Sequence, residues 1–219
     1  MLVKDCMTRH PIMIAPETAA AEAQGIMSEN KVRHLPVIGD GKKLLGLITR
    51  QRLALKPDTL ASLNVWEITR YLSTLKVKDL MLKAENVHTT NPDRTIERAA
   101  KLMADHKVGC LPVVEEDNVV IGILSEIDLL RSFQEMLGLP SEGVRVTVRQ
   151  VERVGEGLKL TKTIAEKGWP IMGIGGFPAP RRPGYYDIVL KITGVTVDEV
   201  KEVLSQIPEQ EIVDIRSVV

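Results

Sequence analysis

The apolar positions of the chain follow two rhythms. Ile96, Ala99, Ala100, Met103 and Ala104 recur at the three-to-four spacing of a helix face, behind Thr95 in the N-cap position. Val108 to Val114 and Val119 to Leu124 are short, β-branched runs on either side of Glu115-Glu116-Asp117-Asn118, the pattern of a hairpin. Gly122 inside the second run marks a close backbone approach, and Ser125 opens the next helix. The same pattern occurs earlier in the chain. VKDCM from Val3 to Met7 returns as VKDLM from Val77 to Met81, His34-Leu35-Pro36-Val37 as Cys110-Leu111-Pro112-Val113, and Leu44 to Leu53 as Val120 to Leu129. Three blocks in one order are an internal duplication. Each copy is expected to form strand, helix, strand, strand, helix. One copy alone would leave a sheet face exposed, so the two are expected to pack about a pseudo-twofold axis.

Between the copies, after Pro57-Asp58, the residues Leu63, Val65, Trp66, Ile68, Leu72 and Leu75 suggest an amphipathic connecting helix. A new pattern starts at Gly143. Strands are expected over Val144 to Val148, Pro170 to Gly175, Tyr185 to Ile192 and Glu211 to Val218, and helices over Leu158 to Lys167 and Val197 to Ile207. Gly175 to Gly184 reads as a loop by composition. The order βαββαβ is that of the ferredoxin-like split unit.

Lys+Arg and Asp+Glu both number 29, so no global positive field exists to hold a nucleic acid. Aromatic residues make up 3%, which leaves an aliphatic core. Cys6 and Cys110 form neither a CxxC pair nor a metal-ligand set, and His10, His88 and His106 lack metal spacing. No apolar run of about 18 residues appears, so neither a membrane span nor export is expected, and the cytoplasm is the expected compartment. GxSxG, HExxH and GxxxxGK[ST] are all missing, so the expectation is no enzyme, no metal and no required cofactor. Gly173 to Phe177 (GIGGF) follows a strand without opening a helix, so it is not a phosphate loop.

The duplicated unit, with its xLPV segment and its Gly-x-x-Ser-x-x-Asp at Gly122, Ser125 and Asp128, resembles the cystathionine-β-synthase (CBS) domain. The C-terminal unit resembles an ACT domain, and the whole order is similar to the acetoin-utilisation B-type proteins. The resemblance implies an α+β fold: CBS motif 1 over 1–56, the connecting helix over 57–76, CBS motif 2 over 77–139 and a ferredoxin-like ACT domain over 143–219. It further implies a regulatory homodimer whose CBS pair binds an adenine nucleotide or adenosyl ligand, such as AMP, ADP, ATP, S-adenosylmethionine or NAD. The regulated protein partner stays unnamed. Position by position, the adenosyl site would comprise Ser125 and Asp128, with Thr18, Ala23, Val32, Arg33 and His34 from the other copy. Ser125 and Asp128 lie three apart, on one face of a helix's first turn, where a carboxylate can accept ribose hydroxyls. Arg33 could fork a phosphate.

The second cleft would comprise Thr49, Arg52, Arg94, Val108, Gly109 and Cys110. It departs from the family pattern, because Arg52 stands at the acceptor position and cannot accept a hydrogen bond. Either this cleft is degenerate and empty, or its arginines reach phosphates of a ligand in the first. In the ACT-like unit the ligand turn would be Glu152 to Gly155, which keeps an acid and the glycine. An alternative function is an amino-acid sensor through the ACT domain, with the CBS pair as dimer scaffold.

Overall fold

The computed structural model describes residues 1–54, 74–139 and 141–218. The expected connecting helix lies, up to residue 73, outside them. The chain divides into two compact units, Met1–Leu129 and Leu130–Val219.

The first unit is built on exchange between the repeats. Helix α1 (Val3–Cys6), strand β1 (Thr8–Arg9), helix α2 (Ala20–Glu29), strands β2 (His34–Ile38) and β3 (Leu44–Thr49) and helix α3 (Arg50–Leu53) form the first copy. Helix α4 (Val77–Leu80), strand β4 (Leu82–Lys83), helix α5 (Ile96–His106), strands β5 (Cys110–Val114) and β6 (Val120–Ser125) and helix α6 (Glu126–Met136) form the second; the residues of α6 from Leu130 onwards belong to the second unit. Each leading strand pairs with the other copy: the two sheets run β1-β6-β5 and β2-β3-β4. The exchange explains both strand glycines. A Cβ on Gly46 would lie 2.4 Å from the Leu82 carbonyl oxygen, and one on Gly122 would lie 2.6 Å from Met7 Sδ. At Gly46 the incoming leader's backbone leaves no room for a side chain, whereas at Gly122 the obstacle is the Met7 side chain, with the Thr8 carbonyl oxygen at 3.1 Å.

The leaders are anchored in matching ways. Val3 N donates to Arg94 O at 2.8 Å and Val77 N to Thr18 O at 2.9 Å. Val77 is fully buried and packs into the first copy's core with Ala23, Leu35, Val37 and Ile48. Pro36 sits in β2 at the sheet edge, where its missing N–H is not needed, and its carbonyl accepts Ile14 N. Thr95 holds the N-cap position of α5, but its side chain makes no capping bond. The other copy's leader takes that role, since Leu2 bridges to Thr95 and Ile96 N donates to Met1 O.

The second unit runs β7 (Gly143–Val151), α7 (Glu156–Glu166), β8 (Ile171–Pro178), β9 (Tyr185–Ile192), α8 (Val197–Leu204) and β10 (Gln210–Val218). The sheet is antiparallel in the order β10-β7-β9-β8. Val144, Val146 and Val148 alternate onto one face and pack with Leu190 and Ile192 under Leu160 and Ile164 of α7 and Val200 and Leu204 of α8. The opposite face is charged: Arg149 grips Asp187 with two bonds of 2.8 and 2.9 Å, and Arg145 pairs with Asp214.

One expectation is corrected. Gly175 to Pro178 is strand, not loop, because the backbone pairs with β9 from Gly175↔Val189 to Pro178↔Tyr186. Composition marks glycine as a turn former, but here backbone pairing does not need side chains.

Candidate functional site

In both copies the last two strands end on a matched pair, His34↔Thr49 and Cys110↔Ser125. One further bond closes each hairpin, Arg50 N to Arg33 O at 2.9 Å and Glu126 N to Gly109 O at 3.1 Å. The helix that follows starts from the same hydroxyl: Thr49 Oγ1 accepts Arg52 N, and Ser125 Oγ accepts Asp128 N, both at 3.3 Å. On these equivalent frames the charges are opposite. Asp128 Oδ2 accepts Ser125 N at 2.8 Å and Ser125 Oγ at 2.6 Å, so the carboxylate is fixed at the N-terminus of α6, where the helix dipole favours it. Arg52 instead sends a guanidinium N–H to the Leu80 carbonyl at 3.2 Å, satisfying an end of α4.

An open cleft of about 1150 Å³ lies across the unit. Arg33 and His34 line it together with Thr49, Arg52, Val108, Gly109 and Cys110, so residues expected in two clefts meet in one. Glu126, beside Ser125, lines it as well; its carboxyl and His34 Cε1 would each lie 3.5 Å from a Cβ on Gly109. Burial lowers the His34 pKa below the usual histidine value, opposed by Glu126 and assisted by Arg33. Burial, with Glu126 adding to it, pushes the Cys110 thiol up to about 12, which removes it as a nucleophile at neutral pH.

The remaining expected residues are placed as follows. Ala23 is fully buried in the first copy's core, and Thr18 spends its carbonyl on Val77 N. Val32 is half-buried ahead of β2. Arg94 does not join Arg52; it lines a separate depression of about 720 Å³ with Thr90, Glu115 and Glu116. In the second unit Glu152 is exposed and Gly155 takes a left-handed φ of 94° at the start of α7.

Sequence reasoning missed several groups. Arg50, Lys107 and His88 line the main cleft, and His88 stacks on His106 with ring centroids 3.8 Å apart. Next to Gly155, Glu156 is 1% exposed and accepts from Lys159 Nζ at 2.8 Å and from Arg153. Cations three residues before and after an acid in a helix's first turn were the available signal. Among the described residues no group of three His, Cys, Asp or Glu could hold a metal, and no helix is long and apolar enough to cross a membrane.

The CBS domain family matches this chain at residues 3–56 and 77–135. A homoserine O-acetyltransferase of Methanohalobium evestigatum is 31% identical over 135 residues, 61% of this chain and 24% of that protein. The match thus spans about a quarter of that relative's length. A CBS domain pair solved in complex with 5′-methylthioadenosine and S-adenosyl-L-methionine is 27% identical, covering 61% of this chain and 95% of that one with a TM-score of 0.50. A Vibrio cholerae protein designated an acetoin utilization protein (AcuB) is 29% identical, covering 64% and 94% with a TM-score of 0.52. The exchanged repeats, the paired hairpin frames and the two matched segments agree: the chain belongs to the CBS-domain family and carries two CBS domains as a tandem pair.

Proposed function

We propose that the CBS pair is the sensing module of a cytoplasmic, homodimeric regulatory protein without catalytic activity, and that its ligand carries an adenosyl group. The fixed Ser125–Asp128 frame is the observation that carries this reading. A carboxylate already oriented by two hydrogen bonds accepts ribose hydroxyls at little further entropic cost. The relative solved with 5′-methylthioadenosine and S-adenosyl-L-methionine supports the ligand class. Thr18 and Val32, both half-buried, would flank the nucleoside, Ala23 would support them from the core, and Arg33 and His34 would meet its tail. AMP, ADP, ATP, S-adenosylmethionine and NAD share the adenosyl part and differ at that tail.

Calorimetry with these compounds and with 5′-methylthioadenosine tests the proposal. Asp128→Ala is expected to lose about 1.5–3 kcal/mol of binding, roughly ten- to a hundredfold in affinity. Unchanged affinity would sink it.

A second reading, an ACT-like domain that senses an amino acid, is favoured by one feature. Beside the Glu152 to Gly155 turn, Glu156 Oε2 and Gln210 Oε1 are buried acceptors without a hydrogen-bond partner among the described residues. Acceptors of that kind suit an ammonium group. Amino acids in the same titration separate the two readings.

A further inference from the structure

We infer that the depression beside Arg94 is a binding site for an α-amino acid with an aliphatic side chain, held as its zwitterion. The duplication supplies a comparison within one chain. Thr90 N donates to Pro112 O at 3.0 Å as Ile14 N does to Pro36 O at 3.1 Å, and Glu115 N donates to Val119 O at 3.0 Å as Gly39 N does to Lys43 O at 2.9 Å. On these matched frames the first copy has Ile14, Thr18 and Gly39 where the second has Thr90, Arg94 and Glu115. Ile14 is 6% exposed and belongs to its copy's core, so the frame needs no polar group there. Thr90 lines the depression at 3% exposure, its backbone N–H and carbonyl are both engaged, and its hydroxyl has no hydrogen-bond partner among the described residues. A buried hydroxyl without a partner costs stability, and a ligand in the depression can supply the partner.

The charges around Thr90 stand apart. Arg94 is half-buried on the loop before α5, and Glu115 and Glu116 are exposed on the turn between β5 and β6. None of the three has an ion-pair partner among the described residues, whereas Asp93, on the same lining, is taken by Lys4 Nζ at 2.8 Å. Unlike charges that share a depression of about 720 Å³ without meeting fit a ligand that carries both, its carboxylate on the Arg94 fork and its ammonium on the glutamates. The two carboxylates repel a phosphate, and Arg94 repels a bare metal cation. Pro92, Val114 and Val119, all half-buried on the lining, give an aliphatic side chain its apolar wall.

Calorimetry on the full chain uses L-leucine beside 4-methylpentanoate, which lacks the ammonium, and isopentylamine, which lacks the carboxylate. Leucine is expected to bind, and each half-molecule to bind roughly tenfold more weakly or worse. Arg94→Thr, which installs the first copy's residue on a frame that already carries it, should weaken leucine by roughly tenfold or more, and so should Glu115→Gln combined with Glu116→Gln. Thr90→Val should weaken leucine without lowering the urea midpoint of the first unit. No binding of leucine, equal binding in wild type and Arg94→Thr, or a half-molecule as tight as leucine overturns the proposal. So does a lower midpoint in Thr90→Val with leucine binding intact, which would make the hydroxyl a part of the fold alone. Loss of leucine in Glu156→Gln with Arg94→Thr unaffected also overturns it and places the amino acid in the second unit. Failure of every adenosyl compound to bind, with leucine behaving as expected, removes the adenosyl reading and keeps this one.

Discussion

Glu156 shows how one buried carboxylate ties a helix to its sheet. Lys159 and then Arg153 hold its pKa at about 2, well below the ordinary value of 4.5, against the opposing effect of burial. Gln210 of β10 donates to its backbone carbonyl at 3.0 Å. A carboxyl whose pKa is lower in the folded than in the unfolded chain stabilises the fold fully above the unfolded value and progressively less as pH falls towards the folded one. Glu156→Gln should therefore lower the urea midpoint of the second unit at pH 7. The gap to wild type should close between about pH 4.5 and pH 2. A gap that stays constant over that range would show that Glu156 acts through packing alone. At this scale the sequence was only partly legible. Ser125 and Asp128 stand out because the repeat aligns them, whereas Arg94 parts from Arg52 because each loop's path is set by the leader of the other copy, which no local spacing records.

Among the elements, β8 shows what local composition conceals. The expected strand stops at Gly175, where the glycine content turns loop-like, yet β8 runs on to Pro178 and its glycines make a seat. A Cβ on Gly173 would lie 2.4 Å from the Leu137 carbonyl carbon and 2.6 Å from Gly138 N, both backbone atoms just past the end of α6. Gly138 has φ +85°, a turn that Gly takes at no steric cost. The chain leaving α6 thus rests against β8, and only glycine lets it come that close. Gly173→Ala must move backbone, and overpacking of this kind costs about 1–3 kcal/mol. Gly175→Ala meets only Leu137 Cδ2 at 3.1 Å, a side-chain tip that can turn away, so its cost should be smaller. Urea titrations of both variants test this ranking; equal losses would mean that α6 does not depend on the seat. Periodicity located α7, β9 and α8 to within a few residues, because their apolar faces point into one core. It could not show that an apolar helix end would lie on the other side of the sheet.

For the molecule as a whole, the exchange of leaders makes the two CBS domains a single folding unit. The repeat was visible in the sequence and predicted two packed copies. It did not reveal the crossing of strands, because VKDCM and VKDLM look like the start of their own copy and nothing in their composition names the sheet they join. β1 covers Gly122 of the second copy, Val3 is fully buried, and the first residues of the chain supply the carbonyl that holds the start of α5. The Lys4–Asp93 and Lys78–Glu17 pairs lie on the surface and contribute little, so apolar burial and strand pairing hold the exchange. Burying Val3 alone is worth about 1.5–3 kcal/mol, and the bonds from β1 and α1 add to it. A chain lacking residues 1–9 should therefore leave the β6 edge unpaired and lower the unfolding temperature of Met1–Leu129, even though nothing has been removed from the second repeat's own sequence. The core of Leu130–Val219 uses none of the deleted residues, so its transition should stay where it is. Calorimetry that resolves the two transitions checks both parts. A first unit whose midpoint survives the deletion would show that the second copy folds without its borrowed strand.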